Sequence, residues 1–121
     1  MGLFNDATDF RKFLSMLEAA VRSLECTLIA YTLMSNHIHL IVYASSEILS
    51  RFMYEIDRSY SRHYNQRHGL SGHAFDGPYK AHWLWSPFIL VRTTAYVALN
   101  PVEAGMVSLP EDYQWSNYRE F

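Results

Sequence analysis

The stretch that decides the fold reads MSNHIHLIV and occupies residues 34–42. After Asn36 it is rich in β-branched and aliphatic residues, which is typical of a β-strand. Side chains two positions apart on a strand share a face, so His37 and His39 project together while Ile38, Leu40 and Val42 project the other way. Two imidazoles on one face can hold a divalent metal and leave positions open for a substrate. Taken alone, however, a His-x-His pair more often marks an ordinary half-buried strand.

Length and composition indicate a single globular domain over residues 1–121. Half of the residues are hydrophobic and 16% are aromatic, which excludes a disordered chain. The single Cys26 excludes an intrachain disulfide or a cysteine-rich zinc site. We expect a cytoplasmic protein, since no apolar run reaches the roughly 20 residues of a membrane span and no signal peptide is evident.

The pattern around the histidine stretch predicts a helix, a hairpin and a second helix. Capping side chains at residues 5–8 precede apolar residues at helical spacing up to residue 24. Residues 26–34 read as a strand that a Ser35-Asn36 turn joins to the histidine strand. On that strand, we expect Leu28, Ala30 and Thr32 to share one face. Serine caps at residues 45–46 and a glycine stop at residue 69 bound the second helix.

A fourth strand and a third helix are predicted downstream of a loop over residues 69–78. Residues 79–85 alternate as a short strand, on which Trp83 and Trp85 are expected to enter the core. Ser86-Pro87 is a strong helix start, and Asn100-Pro101 is expected to close that helix. The expected buried stripe of the third helix consists of Phe88, Val91, Ala95 and Leu99, with Leu90 and Ala98 alongside. A neighbouring stripe contains Ile89, Arg92, Tyr96 and Asn100.

Two blocks together resemble the single-tyrosine HUH transposases, and within them the REP-associated tyrosine transposases. The first is MSNHIHL at residues 34–40, and the second is YVALNPVEAG at residues 96–105. Supporting segments are GHAF at residues 72–75 and WSNY at residues 115–118. The resemblance extends over nearly the whole chain, and its blocks agree in order and spacing.

The resemblance implies a ferredoxin-like α+β fold, an antiparallel sheet with helices packed on it. It implies that Tyr96 is the catalytic nucleophile and that His37, His39 and Asn100 hold Mg²⁺ or Mn²⁺. The implied substrate is single-stranded or hairpin DNA, which is cleaved and rejoined through a 5′-phosphotyrosine intermediate. An alternative is a catalytically inactive DNA-binding relic or regulator derived from such a transposase.

Because the net charge is −2, DNA binding requires a local basic patch. Exposed basic side chains are commonly a solvated face, but their clustering near histidines and aromatic residues favours a grip on DNA. The residues predicted to bind DNA are Arg51, Arg58, Arg62, Arg67, Lys80 and Arg92.

The family pattern begins with a strand that this sequence does not contain. In the ferredoxin-like order, that strand lies between the histidine strand and the fourth strand. Its absence would leave the edge of the histidine strand unpaired, which invites pairing with another chain. We therefore expect either a homodimer that completes the sheet between subunits or a marginal monomer that needs further upstream residues.

Overall fold

The computed structural model describes residues 2–75 and 79–120. Its main elements in chain order are α1 (Ala7–Leu24), β1 (Thr27–Leu33), β2 (Ile38–Tyr43), α2 (Ser46–His68) and α3 (Pro87–Glu103). Short 3₁₀ turns follow at Pro110–Asp112 and Tyr118–Glu120. The predicted α+β class, with helices packed on an antiparallel sheet, is confirmed. In the described ranges the sheet has two strands, and none of the helices is long and apolar enough to cross a membrane.

The β1–β2 hairpin is antiparallel, as predicted, and places Thr32 directly opposite His39. A bulge between Leu28 and Ala30 interrupts the register. The predicted alternation, which placed Leu28 on the same face as Ala30 and Thr32, is therefore wrong. The extra residue in the bulge turns Leu28 to the opposite face, where it packs against the larger core cluster.

The hairpin is covered on both faces, as the lack of polar alternation predicted. One face packs against α1 and α2 in the larger core, whose centre contains Phe13, Phe52 and Tyr60. The other face packs against α3 in a smaller cluster around Ala30, Ile41 and Val97. The sheet thus separates an α1–α2 layer from α3.

A buried carboxylate joins α1 to α2. Asp9 is fully buried and accepts hydrogen bonds from the Nε2 atoms of His63 and His68, from Arg67 and from the Asn5 amide. Burial alone would raise the pKa of Asp9, but these hydrogen bonds together lower it to about 2. His63 and His68 therefore have structural partners, in keeping with their lack of ligand-like spacing.

The outer edge of β1 is covered by the C-terminal segment. The Asn117 side chain pairs with the backbone of β1 as a neighbouring strand would. Its Oδ1 accepts from the Tyr31 amide and its Nδ2 donates to the Ile29 carbonyl. Trp115 accepts from the Leu33 amide through its carbonyl oxygen. The predicted WSNY segment is thus a brace for the hairpin.

The outer edge of β2 has no strand beside it among the described residues. On β1, Tyr31 and Leu33 direct their backbone groups outward to the C-terminal segment. Their partners across the hairpin are Leu40 and Ile38. Two directly opposed residues of an antiparallel pair direct their backbone N–H and C=O groups either both toward each other or both away from each other. Because Tyr31 and Leu33 direct theirs away from β2, Leu40 and Ile38 direct theirs away from β1, toward the open edge.

Local signals predicted the helix starts correctly. Ser45 caps α2, Ser86 caps α3 with Pro87 in its first turn, and Gly69 ends α2 in the left-handed conformation with φ of 68°. The predicted end of α3 at Asn100-Pro101 is wrong, because the helix continues to Glu103 with Pro101 inside it. An interior proline costs about 3 kcal/mol, so this helix needs compensation from elsewhere in the fold.

The predicted buried stripe of α3 is wrong as well, although, of the residues expected beside it, Ala98 is buried and Leu90 packs on the sheet side. The buried residues are Val97, Ala98 and Pro101, whereas Phe88 and Val91 are each 69% exposed. The helix is apolar on most of its circumference, and periodicity alone could not select the face that meets the sheet.

Residues 79–85 form no strand, which corrects the fourth-strand prediction. A strand needs a neighbouring strand to pair with its backbone groups. The described sheet contains only β1 and β2, and neither pairs with this segment. Trp83 and Trp85 are 70% and 80% exposed, so their expected place in the core is also wrong. Residues 76–78 of the predicted loop lie outside the described residues.

Candidate active site

The two histidines of the predicted motif lie on the sheet face that α3 covers. His37 immediately precedes β2 and His39 lies within it. Their ring centroids are 5.0 Å apart and the rings are nearly perpendicular, at 87°. The alternate residues Ile38, Leu40 and Val42 pack into the α1–α2 core. The alternation that places both imidazoles on one face is confirmed.

The side chain of the turn residue Asn36 contacts the ring of His37. The ring Nδ1 lies 2.7 Å from the Asn36 side-chain oxygen, which can only accept. The tautomer of His37 with its hydrogen on Nδ1 satisfies this contact and leaves Nε2 available as a ligand. Metal-binding histidines are commonly oriented by such a hydrogen bond on the opposite ring nitrogen. Sequence reasoning read Asn36 only as a turn residue, although its position next to a histidine could have suggested this contact.

His39 is half-buried, and its Nε2 is a buried polar atom without a hydrogen-bond partner among the described residues. Burial lowers the pKa of His39, and the neighbouring His37 lowers it further. The lowered pKa favours the neutral imidazole, which is the form that coordinates a metal. A buried nitrogen with no partner is uncommon, and it is the polar atom in this region that most needs a ligand.

Tyr96 lies against His39 within the same chain. The two rings pack edge to face at 81°, with 5.8 Å between centroids, while 55% of the tyrosine remains exposed. Asn100 follows one helical turn later on the same stripe of α3 and is half-buried. The structure thus brings together two predicted features that lie far apart in sequence, the histidine pair and the tyrosine helix.

The donors present fit a divalent cation with nitrogen and oxygen ligands. The Nε2 of His39 has no hydrogen-bond partner among the described residues, the Nδ1 of His37 is engaged by Asn36, and Asn100 on α3 carries an amide oxygen. In residues 2–75 and 79–120, no cluster of three His, Cys, Asp or Glu side chains could hold a metal. A third protein ligand would therefore come from an amide such as Asn100, and water or substrate oxygen would fill the remaining positions.

The predicted DNA-binding residues separate into distinct surfaces. Arg51, Arg58 and Arg62 lie along the exposed side of α2, on the opposite side of the sheet from the histidines. Arg58 has one long contact with Glu55, at 3.6 Å. Arg67 instead pairs with Asp6 at 2.6 Å and Asp9 at 2.9 Å. These two carboxylates compensate the Arg67 charge, so Arg67 joins α2 to the start of α1 and has a structural role.

The two remaining basic residues belong to the α3 side. Arg92 is exposed one turn before Tyr96, with its guanidinium carbon 5.6 Å from the centre of the Phe88 ring. Lys80 is exposed in the segment that leads to α3. Of the predicted basic residues, Arg92 is therefore the one that shares a helix with Tyr96.

An open cleft of about 330 Å³ lies on the α2 side. Its lining includes Tyr54, Arg58, Arg62 and His73. Tyr54 is 66% exposed, so this side combines an aromatic ring with guanidinium groups. Sequence reasoning did not select Tyr54, although its spacing of three and four residues from two arginines placed it on their stripe.

Comparisons with known proteins agree with this architecture. The solved structure of a REP-associated tyrosine transposase bound to a REP hairpin superposes with a TM-score of 0.81. The match has 17% sequence identity and covers 94% of this chain and 67% of that chain, so it establishes a shared fold. A search of curated protein sequences gave no significant match. A family model described as "Transposase IS200 like" matches residues 2–99, which include both histidines and Tyr96, and the chain therefore belongs to the IS200-like transposase family.

Proposed function

We propose that the protein cleaves and rejoins hairpin-flanked single-stranded DNA, with Tyr96 as the nucleophile. His37, His39 and Asn100 are the proposed ligands of Mg²⁺ or Mn²⁺. The observation that carries the proposal is the packing of Tyr96 on His39, whose Nε2 is buried without a partner. A nucleophile close to a nitrogen that can bind a metal suits metal-assisted phosphodiester cleavage.

The proposed chemistry is a reversible transesterification. The Tyr96 hydroxyl oxygen attacks the scissile phosphorus and loses its proton, forming a 5′-phosphotyrosine bond. The bond to the 3′ oxygen breaks, and that oxygen takes a proton to become a free 3′-hydroxyl. A bound metal ion would neutralise charge on the scissile phosphate. Because the phosphodiester energy is kept in the covalent intermediate, another 3′-hydroxyl can reverse the step without ATP.

The exposed side of α2 is the proposed DNA-binding surface away from the reacting bond. Arg51, Arg58 and Arg62 would contact phosphates, and Tyr54 offers a ring on which an unpaired base can stack. The solved relative, which shares the fold, is bound to a REP hairpin. On the α3 side, Arg92 and Lys80 are the proposed contacts to the strand that enters the active site. Arg67 is the least suited of the predicted set, because its charge is already compensated by Asp6 and Asp9.

We also propose that a second copy of the chain pairs with the open edge of β2. The outward backbone groups of Ile38 and Leu40 have no partner among the described residues. Burying such groups unpaired costs about 1–3 kcal/mol each, so a partner strand would stabilise the sheet appreciably. The exposed apolar side chains of Phe88 and Val91 are consistent with further contacts between subunits.

The direct test is the formation of a denaturation-resistant protein–DNA adduct. The wild-type protein is incubated with Mn²⁺ and a library of single-stranded DNA hairpins with randomised flanks. An adduct that survives boiling in detergent supports strand transfer. Retarded DNA in a native gel without any adduct would instead support the inactive DNA-binding relic.

A further inference from the structure

The interior proline of α3 leaves one backbone carbonyl without its helical donor. In an α-helix the carbonyl of residue 97 accepts from the amide of residue 101. Residue 101 is proline, which has no N–H, so Val97 cannot be satisfied within the helix. Val97 and Pro101 are both buried, so water is not available as a substitute.

The missing donor comes from the sheet. The Thr32 hydroxyl donates to the Val97 carbonyl at 2.8 Å, and Thr32 is itself completely buried. Thr32 is the residue directly opposite His39 in the hairpin. Val97 is the immediate neighbour of Tyr96. One hydrogen bond therefore connects Thr32, which lies opposite the proposed ligand His39, to the backbone of Val97, which is next to Tyr96.

We propose that Thr32 is a positioning residue that holds Tyr96 in register over His39. This inference rests on the proposed role of Tyr96 as nucleophile. Pro101 makes the contact specific, because it removes the competing helical donor and reserves the Val97 carbonyl for the Thr32 hydroxyl. Apolar packing alone would let α3 slide along the sheet, whereas a directional hydrogen bond between two buried groups fixes one position.

The experiment measures the position of Tyr96 without relying on DNA cleavage. The edge-to-face tyrosine ring shifts the NMR signals of the His39 ring protons. The difference between wild-type protein and Tyr96→Leu gives the size of that shift. The same signals are then measured in Thr32→Val, which keeps the side-chain shape and removes the hydroxyl, and in Thr32→Ser, which keeps the hydroxyl.

We expect Thr32→Val to lose most of the tyrosine-induced shift and Thr32→Ser to retain it. A third variant separates positioning from stability. In Thr32→Val/Pro101→Ala, the new amide at residue 101 can satisfy the Val97 carbonyl within the helix. We expect this double variant to unfold at a higher temperature than Thr32→Val, but without recovery of the shift.

An unchanged shift in Thr32→Val would overturn the proposal. So would recovery of both melting temperature and shift in the double variant, because Thr32 would then serve only to satisfy a buried carbonyl. If the protein formed no adduct with DNA while the shifts behaved as expected, the proposed chemistry would fail and the positioning contact would stand. If the adduct formed while the shifts contradicted the expectation, only the positioning role would fail.

Discussion

The ring of Tyr96 lies edge-on to the imidazole of His39, with 5.8 Å between their centroids, although the two residues belong to different elements far apart in sequence. The histidine is carried by β2 and the tyrosine by α3, which packs on the same face of the sheet. The contact is made within one chain. It places an exposed phenol beside a half-buried imidazole whose Nε2 has no partner among the described residues.

Metal binding should depend on both histidines. His37→Ala and His39→Ala are each expected to abolish Mn²⁺ binding measured by isothermal titration calorimetry, since each removes a proposed ligand. Asn36→Ala should weaken binding by about 10–100-fold, because it removes the side-chain oxygen that contacts His37 Nδ1 and orients the ring. His73→Ala is the matched control, since His73 is exposed and contacts Asp57 instead. Unchanged Mn²⁺ affinity in both His37→Ala and His39→Ala would eliminate this metal site.

The buried Asp9 should stabilise the fold in a pH-dependent way. Asp9→Asn is expected to lower the free energy of unfolding by about 3 kcal/mol at pH 7, because it breaks a buried charged network. The pKa of Asp9 is about 2 in the folded protein, against 3.8 for an unperturbed aspartate. The contribution is therefore fully present above pH 3.8 and is lost as the pH falls toward 2.

Chemical denaturation of wild-type protein and Asp9→Asn across this pH range measures the effect. The two stability curves should converge at low pH. Asp6→Asn is the control: it keeps a good helix cap at an exposed position and should cost less than Asp9→Asn. Equal stability of Asp9→Asn and wild type at pH 7 would contradict the structural role of this network.

The open edge of β2 should be detectable by amide exchange and light scattering. We expect a homodimer whose Ile38 and Leu40 amides become more protected as the protein concentration rises, because their N–H groups point to the proposed interface. The His39 amide points toward β1 and serves as the internal control. A monomer at all concentrations, with both edge amides strongly protected, would show that this edge is paired in some other way.

Local chemistry predicted much of the fold, whereas the candidate site was predicted from the resemblance to a known family. Caps at Ser45 and Ser86, the stop at Gly69 and the alternation of the histidine strand depend on neighbouring residues, and all four are confirmed. Where α3 continues through Pro101, the Val97 carbonyl accepts from the Thr32 hydroxyl, which lies far away in sequence. No local rule could have revealed that donor.

Predictions of which side chains are buried were wrong for segments that carry apolar residues on more than one face. Trp83 and Phe88 read as core residues because nothing in their own segments distinguished a buried face from an exposed one. Arg67 read as one more basic residue of α2, since its partner Asp9 lies on another helix. In each case the outcome was decided by tertiary contacts between distant elements, and periodicity describes only a single element.

The most direct measurement is the covalent adduct formed by Tyr96→Phe compared with wild-type protein. Both are incubated with Mn²⁺ and the hairpin library, denatured in detergent and separated on a gel. Tyr43→Phe is the control, because Tyr43 is an exposed tyrosine on β2 with no place in the proposed site. The account predicts an adduct with wild type and Tyr43→Phe, none with Tyr96→Phe, and DNA binding retained by all three in a native gel. An adduct that persists in Tyr96→Phe would show that another residue is the nucleophile and would contradict the account.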